Sequence, residues 1–133
     1  MSDNGLVTVR CASPVPETTD RLAGAVEAAG LTVFARVDHG GGAASVGMEL
    51  RPTELLIFGN PRGGTPLMQD QQTAGIDLPL KALVWEDADG AVWLTYNAAA
   101  WIAQRHGLGP ESEPAVAALT KALATLTAKA AAS

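Results

Sequence analysis

The 133-residue sequence has little of several residue types, and each shortage excludes a class of protein. Its single cysteine, Cys11, cannot form an internal disulfide. Nine basic residues stand against fourteen acidic ones, for a net charge of −5. The basic residues are scattered, whereas nucleic-acid binding needs them clustered to neutralise phosphates. No apolar run approaches the ~18 residues of a membrane span, and an acidic surface disfavours anionic membranes. We therefore expect neither a nucleic-acid partner nor a membrane partner.

The start of the chain, MSDNGLVTV, also lacks the basic stretch followed by an apolar segment that is typical of a secretory signal. Together with the single cysteine, this favours a cytoplasmic location. The length fits one domain over residues 1–133. A domain near this size buries roughly two-thirds of its unfolded surface, which is enough for a hydrophobic core.

Hydrophobic periodicity divides the first half of the chain into strands and one helix. A loose alternation predicts a strand over residues 5–10, and apolar residues spaced three and four apart predict a helix over about 16–29. Residues 31–39 alternate again and predict a strand whose last residue is His39. The continuous apolar run LLIF predicts a central strand over 54–60.

The second half of the chain predicts a hairpin between helices. A short helix over 65–70 is followed by strands over 81–86 and 91–96, joined through an Asp-Gly turn. Asn97 is predicted to cap the next helix, and an amphipathic helix is predicted over about 112–131. Strands grouped in this way indicate an α+β fold with a mainly antiparallel sheet and helices on one face. The other face must then be solvated, curved over a cavity or buried against another copy.

The stretch GNPRGG, residues 59–64, resembles a nucleotide phosphate loop in outline. However, Thr65 occupies the position of the lysine that such a loop needs, and Pro61 removes one N–H donor. A simpler cradle for an anion or polar ligand could use Arg62 and the amides of a helix start. The third alternative is a turn that only ends a buried strand.

Two further pairs of polar residues are candidates for chemistry. Asp38 and His39 stand before three glycines, but neighbours on a strand point to opposite faces, so the carboxylate cannot simply orient the ring. His39 is either a functional acid or base or a histidine bonded to backbone. Asp77 and Lys81 either form an ion pair or leave the lysine facing a pocket for an anion. No short metal-ligand motif is present, so no metal is expected, and the cofactor is unknown.

Three segments in order, DHGGGA, ELRPTELLIFGNPRGGTPLM and IDLPLKALVWEDADGAVWLTYN, resemble the bacterial and archaeal family called domain of unknown function 302. The resemblance covers about residues 5–106. It implies a β-α-β(4)-α order of the TATA-binding-protein-like type, often in a homodimer, and it implies no established reaction. Polar positions of the family pattern fall on Asp38, His39, Asn60, Asp77 and Lys81.

The leading hypothesis is a homodimer that binds a small polar or anionic ligand, such as an anionic metabolite, where the ends of several strands meet. The predicted ligand-binding residues are Asp38, His39, Asn60, Arg62, Asp77 and Lys81. One alternative is an enzyme that uses His39 as a general acid or base. Another is a structural or interaction module whose polar residues only hold loops in place.

Overall fold

The computed structural model describes residues 4–132 and confirms the predicted α+β fold. Within these residues, five strands form one antiparallel sheet, in which the first and second strands of the chain are the two edges and the fifth, fourth and third lie between them, in that order from the first. The strands are β1 (Leu6–Cys11), β2 (Thr32–Asp38), β3 (Thr53–Gly59), β4 (Leu80–Glu86) and β5 (Val92–Asn97).

In the described part of the chain, five α-helices and two short 3-10 helices connect or follow the strands. They are α1 (Val15–Ala28), α2 (His39–Ser45), α3 (Pro61–Asp70), α4 (Ala99–Arg105) and α5 (Glu113–Ala131), with 3-10 helices at Gln72–Asp77 and Pro110–Ser112. Within residues 4–132, no helix combines the length and apolar character needed to cross a membrane.

The core lies between one face of the sheet and helices α1 and α5. Every second residue of β3 and β4 is buried, and Leu56 and Phe58 are fully enclosed. Leu22 and Val26 of α1 and Leu123 of α5 pack against them. Truncating a fully buried leucine to alanine costs roughly 2–5 kcal/mol, so these contacts dominate the stability of the fold.

The opposite face of the sheet, which we call the open face, keeps its side chains partly exposed. Leu55, Ile57, Leu83, Trp85 and Trp93 alternate along their strands with the buried residues, and none of them is buried. The strand register places Leu55 beside Leu83 and Trp85 beside Trp93. The centre of the open face is therefore mainly apolar, although the same register places Lys81 beside Ile57 and Thr95 beside Leu83.

Polar contacts fix the two central tryptophans of the open face. Trp85 Nε1 donates to Thr95 Oγ1 at 2.9 Å, and Trp93 Nε1 donates to Asp87 Oδ2 at 2.9 Å. The guanidinium of Arg10 stacks over the Trp93 ring, 5.3 Å from its centroid. These contacts within the chain hold both indole rings in place.

The predicted strand over residues 31–39 is wrong at its end, because His39 begins α2 instead of closing β2. Asp38 caps this helix by accepting a hydrogen bond from Gly41 N at 2.8 Å. A Cβ atom on Gly41 would lie 2.5 Å from Asp38 Oδ2, so the cap requires glycine there. Glycine-rich sequence has low helix propensity, which is why the sequence did not indicate this helix.

The predicted helix cap at Asn97 is also wrong. Asn97 is the last residue of β5, and α4 begins at Ala99 without a side-chain cap. Strand pairing with Leu6 keeps Asn97 in the sheet. The predicted positions of the hairpin and of the C-terminal helix are confirmed to within two residues.

Candidate ligand-binding site

The stretch GNPRGG is the end of β3 and the first turn of α3, and it is not an open loop. Asn60 caps the helix: its Oδ1 accepts from Arg62 N at 2.9 Å, and its carbonyl accepts from Gly63 N and Gly64 N. Pro61 stands at the first helical position, where no N–H partner is needed. Because these N–H groups already have partners inside the helix start, this arrangement leaves no amide cradle for a phosphate.

A cavity of about 250 Å³ lies where the ends of β2, β3 and β4 meet α3 and α5. We call it the strand-end cavity. Most of its lining is apolar, and its only polar side chains are those of Asn60 and Thr65. The lining residues are Phe34, Gly59, Asn60, Pro61, Gly64, Thr65, Met68, Gly75, Leu78, Pro79, Leu80 and Leu119. An apolar cavity of roughly 150 Å³ can admit benzene, so this one is large enough for a single-ring molecule.

Two glycines keep part of this cavity open. A Cβ atom on Gly64 would lie 3.5 Å from Leu78 Cδ1, and one on Gly75 would lie 3.1 Å from Met68 Sδ. Both positions therefore face neighbouring apolar side chains across short gaps. Larger residues there would fill the cavity or push its walls apart.

A cluster of polar side chains lies next to the part of the cavity wall that Leu78 and Pro79 form. Asp77 Oδ2 lies 2.6 Å from His106 Nε2, and Arg105 Nη1 donates to both carboxylate oxygens at 2.9 and 3.1 Å. Thr73 Oγ1 lies 3.2 Å from His106 Nδ1. The side chains of Asp77 and His106 are only 11% and 8% exposed. We call these four residues the Asp77 cluster.

The Asp77 cluster fixes the 3-10 helix against the end of α4. The residues that follow directly, Leu78, Pro79 and Leu80, form part of the cavity lining. The position of this wall therefore depends on the contacts of the Asp77 carboxylate. Sequence reasoning missed Arg105 and His106, because nothing in a single sequence pairs an aspartate with a histidine 29 residues away.

Lys81 and Arg62 lie outside the cavity lining. Lys81 Nζ donates to the carbonyl oxygens of Pro79 at 3.2 Å and Asp77 at 3.5 Å, while the Asp77 carboxylate is taken by the cluster. Arg62 is exposed. An anion held by either cation would thus be bound outside the strand-end cavity.

Asp38 and His39 lie at the opposite end of the sheet from Asn60. In the β2–β3 ladder Asp38 pairs with Glu54 at the start of β3, whereas Asn60 follows its end. At ~3.3 Å per residue these ends are roughly 20 Å apart. Because neighbouring antiparallel strands run in opposite directions, the last residues of β2 and β3 lie at opposite ends of the sheet. The prediction that Asp38 and His39 meet Asn60, Asp77 and Lys81 where several strands end is therefore wrong.

The His39 ring is exposed and makes no hydrogen bond to another residue of the described chain. A general acid or base normally has a partner that sets the orientation of its ring. Asp38, its neighbour, is occupied by capping α2. A ligand-binding or catalytic role of His39 stays a prediction.

Element order and the strand-end cavity define an α+β domain with a one-sided antiparallel sheet and a small apolar site at its end. The chain belongs to the family described as domain of unknown function DUF302, whose model matches residues 7–126. The match takes in most of α5 as well as the region of sequence resemblance. The recognition of this family from sequence is confirmed.

A solved structure shares the fold. The chain is similar to an uncharacterized conserved DUF302 protein from Bacillus stearothermophilus, with a TM-score of 0.83 and 19% identity. The superposition covers 95% of this chain and 98% of that one. At this identity the likeness concerns the fold alone.

Curated relatives share the sequence over part of their length. The chain is 54% identical over 125 residues to a Brucella suis protein named fluoride-specific ion channel FluC 1, covering 94% of this chain and 49% of that protein. A Brucella abortus protein of the same name is also 54% identical, with 46% of its length covered. The chain thus spans about half the length of the curated relatives it matches.

Proposed function

We propose that this chain is a homodimeric binding domain whose strand-end cavity takes one small, largely apolar ligand with a single polar or anionic group. The observation that carries the proposal is the 250 Å³ cavity with its apolar lining. Binding sites of small molecules are typically apolar, with a few placed polar groups that fix orientation.

The polar atoms of the lining indicate which group the ligand presents. The Asn60 side-chain oxygen already accepts from Arg62 N, which leaves its Nδ2 as a donor. The Thr65 hydroxyl supplies a second donor in the same lining. A hydroxyl, carbonyl or carboxylate oxygen is therefore the complementary group on the ligand.

The binding test compares two probes that share one ring, benzyl alcohol and benzoate, by amide chemical shifts in NMR. Binding is expected to shift the amides of Asn60, Gly64 and Gly75. A Gly64→Leu variant, which fills the cavity, should lose these shifts, whereas Gly24→Leu on the exposed side of α1 should keep them. Absence of saturable shifts with both probes would favour the alternative of a structural module without a ligand.

The open face supports a second copy as the partner. Five strands spaced ~4.8 Å apart, each about six residues long, present roughly 500 Å² in plane. Because side chains protrude from this plane, the accessible area of the face is larger than its in-plane area. It is of the same order as the ~800 Å² that each partner contributes to a standard interface. Its centre is apolar, and aromatic residues such as Trp85 and Trp93 are typical of interfaces.

The test of the homodimer is sedimentation velocity over a range of concentrations. A dimer of the 13.6 kDa chain is expected at micromolar concentration. Leu83→Glu, at the centre of the open face, should yield monomers, whereas Ala124→Glu on the exposed side of α5 should not. Circular dichroism of both variants checks that they are folded. A wild-type monomer throughout would contradict the proposal.

A second candidate function follows from the name of the curated relatives. Because the chain matches about half of proteins named fluoride-specific ion channels, we propose as an alternative that it serves such a channel as an associated domain. A titration with sodium fluoride, with sodium chloride as control, would distinguish the two candidates. Fluoride-specific amide shifts favour the second candidate, and their absence together with benzyl alcohol or benzoate binding favours the first.

A further inference from the structure

We infer that the second copy closes the mouth of the strand-end cavity, so that the ligand site is complete only in the dimer and ligand binding and dimerisation are linked. This inference rests on the proposed homodimer and on the proposed cavity site. It adds that the dimer interface and the ligand site have residues in common.

We call the side of the cavity that is lined by Gly59, Phe34 and Pro79 its mouth, and this side adjoins the last row of the open face. Gly59 follows Ile57 on the same side of β3, and it pairs with the first residue of β2. A Cβ atom on Gly59 would lie 3.5 Å from Pro79 Cβ and 3.9 Å from Phe34 Cε2, so the three residues are adjacent. All three line the cavity.

Phe34 is the large apolar side chain at this mouth, and it is 53% exposed. It stands at an irregularity in the β2–β3 ladder, between Val33 and Ala35. The adjoining Pro79 is exposed as well. This side of the cavity therefore meets solvent through an aromatic ring and a proline, and the lining residues Pro61 and Thr65 are exposed at the start of α3.

The size of a stable interface favours contacts beyond the open face. Each of the five strands turns roughly three side chains to the open face, about fifteen in all, because side chains alternate. A standard interface uses ~20–30 residues of each partner. An interface of standard size therefore extends beyond the side chains of the open face.

Exposed apolar residues indicate where the contact with the second copy extends. Phe34 lies at the end with the cavity, and Val46, Met48 and Leu50 lie at the other end, in the segment between α2 and β3. A second copy whose contact extends to both ends of the open face would cover Phe34.

Closure of the mouth has a thermodynamic consequence. Ligand atoms next to Phe34 and Pro79 would face water in the monomer and protein in the dimer. A ligand that binds the dimer more tightly strengthens dimerisation by the same factor, because the coupling between two binding events is reciprocal.

The experiment places a reporter thiol at the mouth and measures its reaction rate with Ellman's reagent. Phe34→Cys and Pro79→Cys are made in a Cys11→Ala background, although the native thiol is itself buried and burial raises its pKa. Glu27→Cys, exposed on α1, is the control. Sedimentation of the same samples gives the fraction of dimer.

At concentrations where the protein is dimeric, both mouth thiols should react at least tenfold more slowly than in the monomer, while the control thiol keeps its rate. A dimer with unchanged mouth reactivity would overturn the inference and leave the proposed homodimer standing. A monomer at every concentration would overturn both.

The linkage is measured separately, as the dissociation constant of the wild-type dimer with and without the better-binding of benzyl alcohol and benzoate. We expect saturating probe to lower this constant at least threefold in the wild type and to leave it unchanged in Gly64→Leu. If NMR shows the probe bound in the cavity while the dimer constant stays the same, the linkage is wrong. If neither probe binds, both the linkage and the proposed ligand site lose their basis, whatever the thiol rates show.

Discussion

Replacing Gly64 by alanine is the sharpest perturbation of the strand-end cavity. Gly64 lies inside α3 and has no Cβ atom to fill the gap in front of Leu78 and Met68. A Cβ atom there would lie 3.5 Å from Leu78 Cδ1 and 3.8 Å from Met68 Cε, which are ordinary contact distances. The methyl group thus enters the cavity without a clash.

The expected stabilisation has two sources. Alanine is favoured over glycine in a helix interior by ~0.8–1.0 kcal/mol. A buried methylene contributes ~0.8 kcal/mol, and about half of that applies here because Gly64 is only partly buried. Gly64→Ala should therefore raise the free energy of unfolding by about 1–1.5 kcal/mol.

A matched variant separates the two sources. Gly24 lies inside α1, and a Cβ atom there would meet nothing within 4 Å, so Gly24→Ala reports helix propensity alone. Urea unfolding at one fixed protein concentration measures both variants, because the stability of a dimer depends on concentration. Gly64→Ala should exceed Gly24→Ala by roughly 0.4 kcal/mol. Equal or reversed stabilities would refute the view that position 64 opens into an apolar gap.

Three other predictions concern polar contacts. Asn60→Ala should lower the free energy of unfolding by about 1 kcal/mol through loss of the helix cap, and Asn60→Asp should restore most of it; a urea midpoint equal to wild type would contradict this role. Asp77→Ala should cost about 1–3 kcal/mol, because it leaves the Nε2 atom of a nearly buried His106 without its partner, and an unchanged midpoint would show that the cluster does not hold the wall. The hydrogen bond from the Trp93 indole holds the pKa of Asp87 below its ordinary value of 3.8, so its contribution to stability is present above that pH and is lost as pH falls through the folded pKa. Tryptophan fluorescence should therefore report an acid transition below pH 3.8 that Asp87→Asn removes, and a transition that persists in the variant would assign it elsewhere.

The Asp77 cluster changes how the polar positions of this family are interpreted. Asp77 lies next to the cavity wall but directs its carboxylate towards Arg105 and His106. Its role in this structure is to place Leu78 and Pro79, which contact the cavity space. A substitution at Asp77 should therefore weaken the proposed ligand binding by displacing Leu78 and Pro79, without a direct contact between Asp77 and the ligand.

Much of the fold followed from local patterns in the sequence. The apolar spacing of α1 and α5, the run LLIF in β3 and the Asp-Gly turn each depend on residues within a few positions of one another. Such patterns reflect a choice between helix and strand that is made locally, since one face of each element must be apolar. The family resemblance came from the same local segments, and it implied the order of strands and helices as well.

The tertiary structure alone decided which residues meet. Asn60 and His39 each follow the last residue of a strand, but antiparallel pairing places the last residues of β2 and β3 at opposite ends of the sheet. The partners of Asp77 come from the end of α4, 28 and 29 residues further along the chain. Pairing and packing between distant segments are set by the register of the sheet and by the shape of the core. A single sequence determines the elements through nearest neighbours, whereas the cavity exists only once β2, β3, β4, α3 and α5 are assembled around it.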